Sequence, residues 1–231
     1  MKKFLKRLHD KLNTYAARRV NSYRYNKGLL SEIEYNLRNE FLKEVEQFGV
    51  DDFYQNYPPL KISGRRNTLS RFSVYGMQER LNKGLEVLDI GGNIGFFSLY
   101  LSRFVKSIDL VEQNQNLTNI AKKLADHEKI DNVKIINLDF KKYSPEKRYD
   151  LIMSLAVHGW VDMELDQYLK KIKSLLKENG IVLMESHMNY YSGGDDLGES
   201  LKGNSHFDII DRGMVDDDKG RCREFFWLKA K

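Results

Sequence analysis

Between residues 86 and 186 the chain alternates between two hydrophobic periods, and this alternation constrains the fold more than any other feature. Short apolar runs at Glu86–Ile90, Ser107–Glu112, Val133–Asn137, Asp150–Ser154 and Gly180–Ser186 read as buried strands. Helical spacing separates most of them, at Ile94–Phe104, Leu117–His127 and Met163–Leu176. Strands joined through helices lie parallel, and each helix must cover a face of the sheet, so the class is α/β and doubly wound. The last stretch differs. "HFDIIDRGMV", "DDDKG" and "REFFWLKAK" read as two strands around a polar turn, an antiparallel hairpin.

Residues 1–60 stand outside that alternation and form an expected helical extension, with one domain over 61–231. Phe4, Leu5, Leu8, Leu12, Tyr15, Ala16 and Val20 recur at helical spacing. Nine Lys or Arg and a single acid, Asp10, fall between Met1 and Lys27, which holds much of the net charge of +5. A greasy stripe with basic flanks suits either an anionic membrane surface or RNA, or else packs on the domain. A second helix is expected from Leu29 to Phe48, with Ser31 and Glu34 as a capping box. Pro58 and Pro59 then break helicity, and a third helix is expected over Thr68–Asn82. One cysteine, Cys222, excludes an internal disulfide and a cysteine-built zinc cluster. No apolar run reaches the ~20 residues that span a bilayer, so a cytoplasmic location is expected, with peripheral membrane contact through the first helix as an option.

The first strand-to-helix junction carries the chemistry. "VLDIGGNIGFFSLYLS" ends an apolar run in an acid and places three glycines and an asparagine before a helical pattern. Glycine lets a ligand approach backbone without Cβ interference, as nucleotide-like ligands require. The dinucleotide spacing G-x-G-x-x-G fails here, because Asn93 and Phe96 occupy its second and third positions. What fits is Asp89, Gly91, Asn93 and Gly95, with Gly92 between, and Asn is the residue after glycine that best tolerates left-handed angles. These residues resemble the "LDIG-x-N-x-G" variant of the class I S-adenosylmethionine-dependent methyltransferases. The resemblance runs from about Thr68 to the last residue and implies a Rossmann-like, mostly parallel seven-stranded sheet whose final strand is reversed.

It also implies a cofactor, S-adenosylmethionine, and residues to hold it. Glu112 closes "SIDLVE" 21 residues after Gly91, near the ~20-residue spacing of a ribose-binding acid, and takes that role. Asp139 takes the position near the adenine amine, Phe140 an adenine wall, and Ser154 the end of the fourth strand. Arg71, in "SGRRNTLSRF", is placed to fork onto the cofactor's carboxylate or an acceptor phosphate.

The acceptor is narrowed by what is missing. The N/D-P-P-Y/F motif of nitrogen methylation is replaced by "SLAVHGW", no acid near Ser154 suggests a lysine–aspartate ribose methylase or a metal site, and Cys222 is far from a carbon-methylation nucleophile. An oxygen acceptor is therefore expected, a glycan hydroxyl, another small-molecule oxygen or a terminal phosphate. A hydroxyl needs a base, for which His158 and His187 are the candidates. Trp160, Glu185 and Tyr190, with Arg65 and Arg66, are candidates for holding the acceptor. "SLAVHGW…LLKENGIVLMES" is similar to methyltransferases that cap terminal phosphates. An RNA or tRNA methyltransferase and an inactive binding module with the same fold remain open, and "NYYSGGDDLGES" reads as a substrate-covering insertion.

Overall fold

The computed structural model describes residues 2–48, 52–187, 197–216 and 222–231, with side chains from Lys11 onward and, in the second helix, up to Val45. Tyr190, most of the insertion after the fifth strand and the polar turn of the hairpin lie outside the described residues.

Each expected strand forms: β1 (Glu86–Ile90), β2 (Ser107–Glu112), β3 (Val133–Asn137), β4 (Tyr149–Leu155), β5 (Leu176–Glu185), β6 (Phe207–Asp216) and β7 (Cys222–Ala230). They make one seven-stranded sheet in the order β3-β2-β1-β4-β5-β7-β6. The first five are mutually parallel, and β7 enters antiparallel between β5 and β6. Central strands are buried on both faces, which explains why their sequences read as continuous apolar runs.

Helices cover both faces. On one side α5 (Phe96–Leu101) and α6 (Gln115–Glu128) contribute Phe96, Leu99, Ile120 and Leu124 to a core that also takes in Leu37 and Phe41 from α2 (Glu32–Phe48) and Phe72 from α3 (Thr68–Val74). On the other side α7 (Leu165–Leu175) and α8 (Leu197–Lys202) bury Leu169, Ile172, Leu197 and Leu201. The helix expected over Thr68–Asn82 is two pieces, α3 and α4 (Met77–Arg80). Gly76 sits between them at φ 62, a left-handed angle that ends α3. The helix after the glycine turn is also shorter than expected, closing as a 3₁₀ turn at Ser102–Phe104.

The extension does not stand apart. α1 (Lys2–Asn26) folds back along α2, and Ser31 caps α2 by accepting the Glu34 N–H at 3.2 Å. Arg38 then pins α2 to the next segment: its guanidinium pairs with Glu34 and Asp52 at 2.8 Å each and with Ser63 Oγ at 2.7 Å. Phe53, fully buried, stacks edge-on against Phe41 and Phe96 and so joins the extension to the helix after the glycine turn.

Candidate active site

The residues expected to hold the cofactor lie at the carboxyl ends of β1 and β2, where parallel sheets bind ligands. Gly91 donates its N–H to the Val111 carbonyl at 2.8 Å and adopts φ 67. A Cβ there would lie 2.2 Å from Val157 Cγ2, so the segment after β4 passes too close for any side chain. Asn93 takes the left-handed angle expected of it, φ 54, and its Oδ1 accepts the Ile94 N–H at 2.8 Å. Gly92 precedes it, and Gly95, at φ 74, starts α5. Asp89 lies just inside the sheet, accepting Ser98 Oγ at 2.6 Å. Burial pushes its carboxyl up to about 7; the Ser98 hydrogen bond works against this, and the charge of Glu112 adds to it.

Glu112 is half-buried at the end of β2 and faces the turn. One carboxylate oxygen accepts the Asn93 N–H at 3.1 Å and the other the Asn114 N–H at 2.9 Å. An ionised carboxylate has about four lone-pair sites, so two N–H bonds leave capacity for two ribose hydroxyls, and the donor set fits an adenosyl ligand. Burial raises this carboxyl, opposed by the N–H groups of Asn114, Asn93 and Gln113.

The sequence gives little warning of what supports Glu112. Asn114 caps α6, its Oδ1 accepting the N–H groups of Asn116 and Leu117 at 2.9 and 3.3 Å. The buried Glu44 of α2 accepts the side-chain amides of Asn114 and Asn116, each at 2.8 Å. The N-terminal extension thus reaches the supports of Glu112. Asn114 is readable as a cap before a helical period, but nothing local marks Glu44, 70 residues earlier.

Asp139 caps the 3₁₀ turn Phe140–Lys142 by accepting the Lys141 N–H at 2.8 Å. Phe140 packs into the second core with its ring 5.5 Å from that of Tyr168. Ser154 is fully buried and bonds the Tyr168 hydroxyl at 2.8 Å.

The residues expected near the acceptor follow the carboxyl ends of β4 and β5. Ala156 holds φ 57, a left-handed angle unusual for a residue with a Cβ. His158 and His187 come together there, ring centroids 5.1 Å apart and planes at 79°. Gly159 permits this approach, because a Cβ on it would fall 2.4 Å from His187 Cε1. A cleft of about 400 Å³ opens beside His158, lined also by Val161, Met163, Leu165 and Tyr168. Trp160 is 75 % exposed.

Glu185 and Arg66, both expected near the acceptor, are instead fully buried and face each other. Arg71 and the Tyr75 hydroxyl hydrogen-bond Glu185, Arg223 reaches it at 3.2 Å, and Arg66 lies 4.0 Å away. Arg223 also bonds the Tyr54 hydroxyl at 2.7 Å. Burial alone would raise the Glu185 carboxyl, but Arg71, Arg66, Tyr75 and Arg223 outweigh it and hold the group below the usual carboxylate range. Arg65 is exposed, its guanidinium 5.9 Å from the Tyr54 ring centre.

Known proteins share this architecture. The chain is 34 % identical over 119 residues to malonyl-[acyl-carrier protein] O-methyltransferase 1 of Ilyobacter polytropus, covering 50 % of this chain and 41 % of that one. It is 31 % identical over 110 residues to the enzyme of the same name from Priestia megaterium, covering 47 % and 39 %. The chain thus spans less than half the length of these curated relatives. Among solved structures, the N-methyltransferase NodS of Bradyrhizobium japonicum WM9 with S-adenosyl-L-homocysteine superposes with TM-score 0.58 at 12 % identity over 71 % of this chain and 84 % of that one. A methyltransferase of Geobacter sulfurreducens, also with S-adenosyl-L-homocysteine, gives 0.56 at 16 % identity over 70 % and 90 %. S-adenosylmethionine is accordingly the cofactor. The methyltransferase-domain family model covers residues 62–212, more than half of the chain, and this protein belongs to that family of S-adenosylmethionine-dependent enzymes.

Proposed function

We propose that the protein methylates a hydroxyl oxygen of a polar small-molecule or glycan acceptor, with His158 or His187 as the general base. The paired imidazoles beside an open cleft carry this reading. Methyl transfer from a sulfonium is an in-line displacement, so the chain's main task is to align two reactants in a dry pocket. S-adenosylmethionine supplies the methyl group. A hydroxyl must lose its proton as the oxygen–carbon bond forms, and a neutral imidazole within hydrogen-bond reach can take it. The half-buried rings sit at the ends of adjacent parallel strands, on the same edge of the sheet as Gly91 and Glu112.

A second reading has its own support. The relatives are named for methylation of a malonyl group on an acyl carrier protein, and the exposed Arg65 and half-buried Arg223 both lie against Tyr54. An acceptor that is already anionic, a carboxylate or a phosphate, needs positive donors and no base.

The histidines separate the two. Methyl transfer to a panel of glycan hydroxyls, phosphomonoesters and malonyl thioesters identifies the acceptor class. For a hydroxyl, His158→Ala or His187→Ala cuts the chemical rate by roughly 10²–10⁴ while cofactor affinity stays nearly intact. Full activity of the double variant on the preferred acceptor excludes an imidazole base and leaves the anionic reading.

A further inference from the structure

α1 docks with the wrong face for a helix that uses its apolar stripe to hold on. The contacts with α2 come from small and polar residues: Thr14 and Asn21 are buried, Asn21 donates to Asn39 Oδ1 at 3.2 Å, and Ser22 bonds the Tyr35 hydroxyl at 3.3 Å. Tyr25 adds a stacked ring on Tyr35, centroids 4.7 Å apart. At 100° per residue, Leu12, Ala16, Val20 and Tyr23 project from the opposite side of the helix, with Tyr15 at the edge of that face. They are left in the open. Leu12 is 60 % exposed, Tyr15 61 %, Val20 55 % and Tyr23 61 %.

Exposed Arg19 and Lys27 lie on this face, Lys11 and Arg18 project nearer the α2 side, and no acid occurs between Lys11 and Lys27. An outward apolar stripe costs solubility unless something covers it. We propose that this face of α1 docks on an anionic lipid bilayer, with the stripe in the headgroup–acyl boundary and the cations on the lipid phosphates. The alternatives suit the surface less well. A second copy would bring two strongly basic faces together across a two-fold axis. RNA would use the cations and could stack bases on tyrosines, but Arg19 and Lys27 already lie over the rings of Tyr15 and Tyr23, at 6.0 and 5.9 Å. Leu12 and Val20 offer nucleic acid nothing. No helix of the described residues is long and apolar enough to cross a membrane, so the contact is one of lying on the surface. The inference does not depend on which oxygen is methylated.

Vesicles test it. The full chain is sedimented with liposomes of equal parts phosphatidylglycerol and phosphatidylcholine, and with phosphatidylcholine alone. Binding to the anionic vesicles only, falling as salt rises, is the expected result. Arg19→Glu/Lys27→Glu weakens it by about fivefold per cation lost. Leu12→Ser/Val20→Ser weakens it at unchanged charge, about tenfold or more. S-adenosylmethionine affinity, measured on each variant, stays at the wild-type value and shows that the domain is folded. Absence of binding to anionic vesicles overturns the proposal. So does binding that the serine variant leaves unchanged, which marks a purely electrostatic contact such as one with RNA. Concentration-dependent dimerisation that the serine variant abolishes assigns the stripe to a second copy instead.

Discussion

The turn around Gly91 and Glu112 and the cluster around Glu185 are built from different materials. Around Gly91 and Glu112 the working groups are backbone N–H groups, left-handed angles and one carboxylate, all within 30 residues of sequence. Around Glu185 they are side chains drawn from Tyr54, Arg66, Arg71, Tyr75 and Arg223, brought together from far apart in the chain. The first kind of structure is written in neighbouring residues, and the second exists only once distant segments have packed together.

Breaking the Glu185 cluster should therefore cost folding, and breaking the Glu112 turn should cost binding. The largest effect is expected at Glu185. Glu185→Ala leaves several buried guanidiniums without this carboxylate, and losing one partner of a buried ion pair costs about 3–5 kcal/mol. Denaturant unfolding checks it; a loss below about 1 kcal/mol, within the range of exposed ion pairs, would mean the cluster is not held by this charge. Next comes Glu112→Ala, expected to weaken S-adenosylmethionine binding by about 1.5–3 kcal/mol through loss of charge-assisted hydrogen bonds. Calorimetric titration of the folded variant reads it, and an unchanged affinity would remove Glu112 from the ribose. The smallest effect sharpens the boundary between the two regions. Ala156 carries a left-handed angle just before His158, and relieving it with glycine should raise stability by up to about 1 kcal/mol once glycine's own entropy is deducted. A thermal melt that falls instead would show that no strain is stored there.

The same contrast explains what could be read from the sequence. Strands β1, β2 and β3 form at their expected residues, because short apolar runs bounded by polar turns leave a buried strand few other places to lie. Asn93 was legible for a similar reason: few residues tolerate its angle. Arg71 and Glu185 were visible as charged residues near the right strand ends, but that they face each other depends on where α3 crosses the sheet. Local periodicity carries no such information. Glu44 was invisible because its role is set by the docking of α2 on α6, which only the tertiary structure fixes. The break at Gly76 was signalled by the glycine itself, yet the helical spacing around it masked the stop.

β7 has a consequence for how the chain comes to be folded. It occupies the slot between β5 and β6, although β6 precedes it in the chain. During synthesis β6 therefore emerges with no partner strand, and β5 presents a bare edge, until Cys222–Ala230 has followed. Trp227, the largest fully buried side chain, arrives in that same strand and donates its indole N–H to the Tyr75 carbonyl at 3.0 Å, 152 residues upstream. Closure of the sheet is thus a late, long-range event that waits on the last strand. A ribosome stalled before Cys222 would hold an open-edged sheet exposed to pairing with its neighbours.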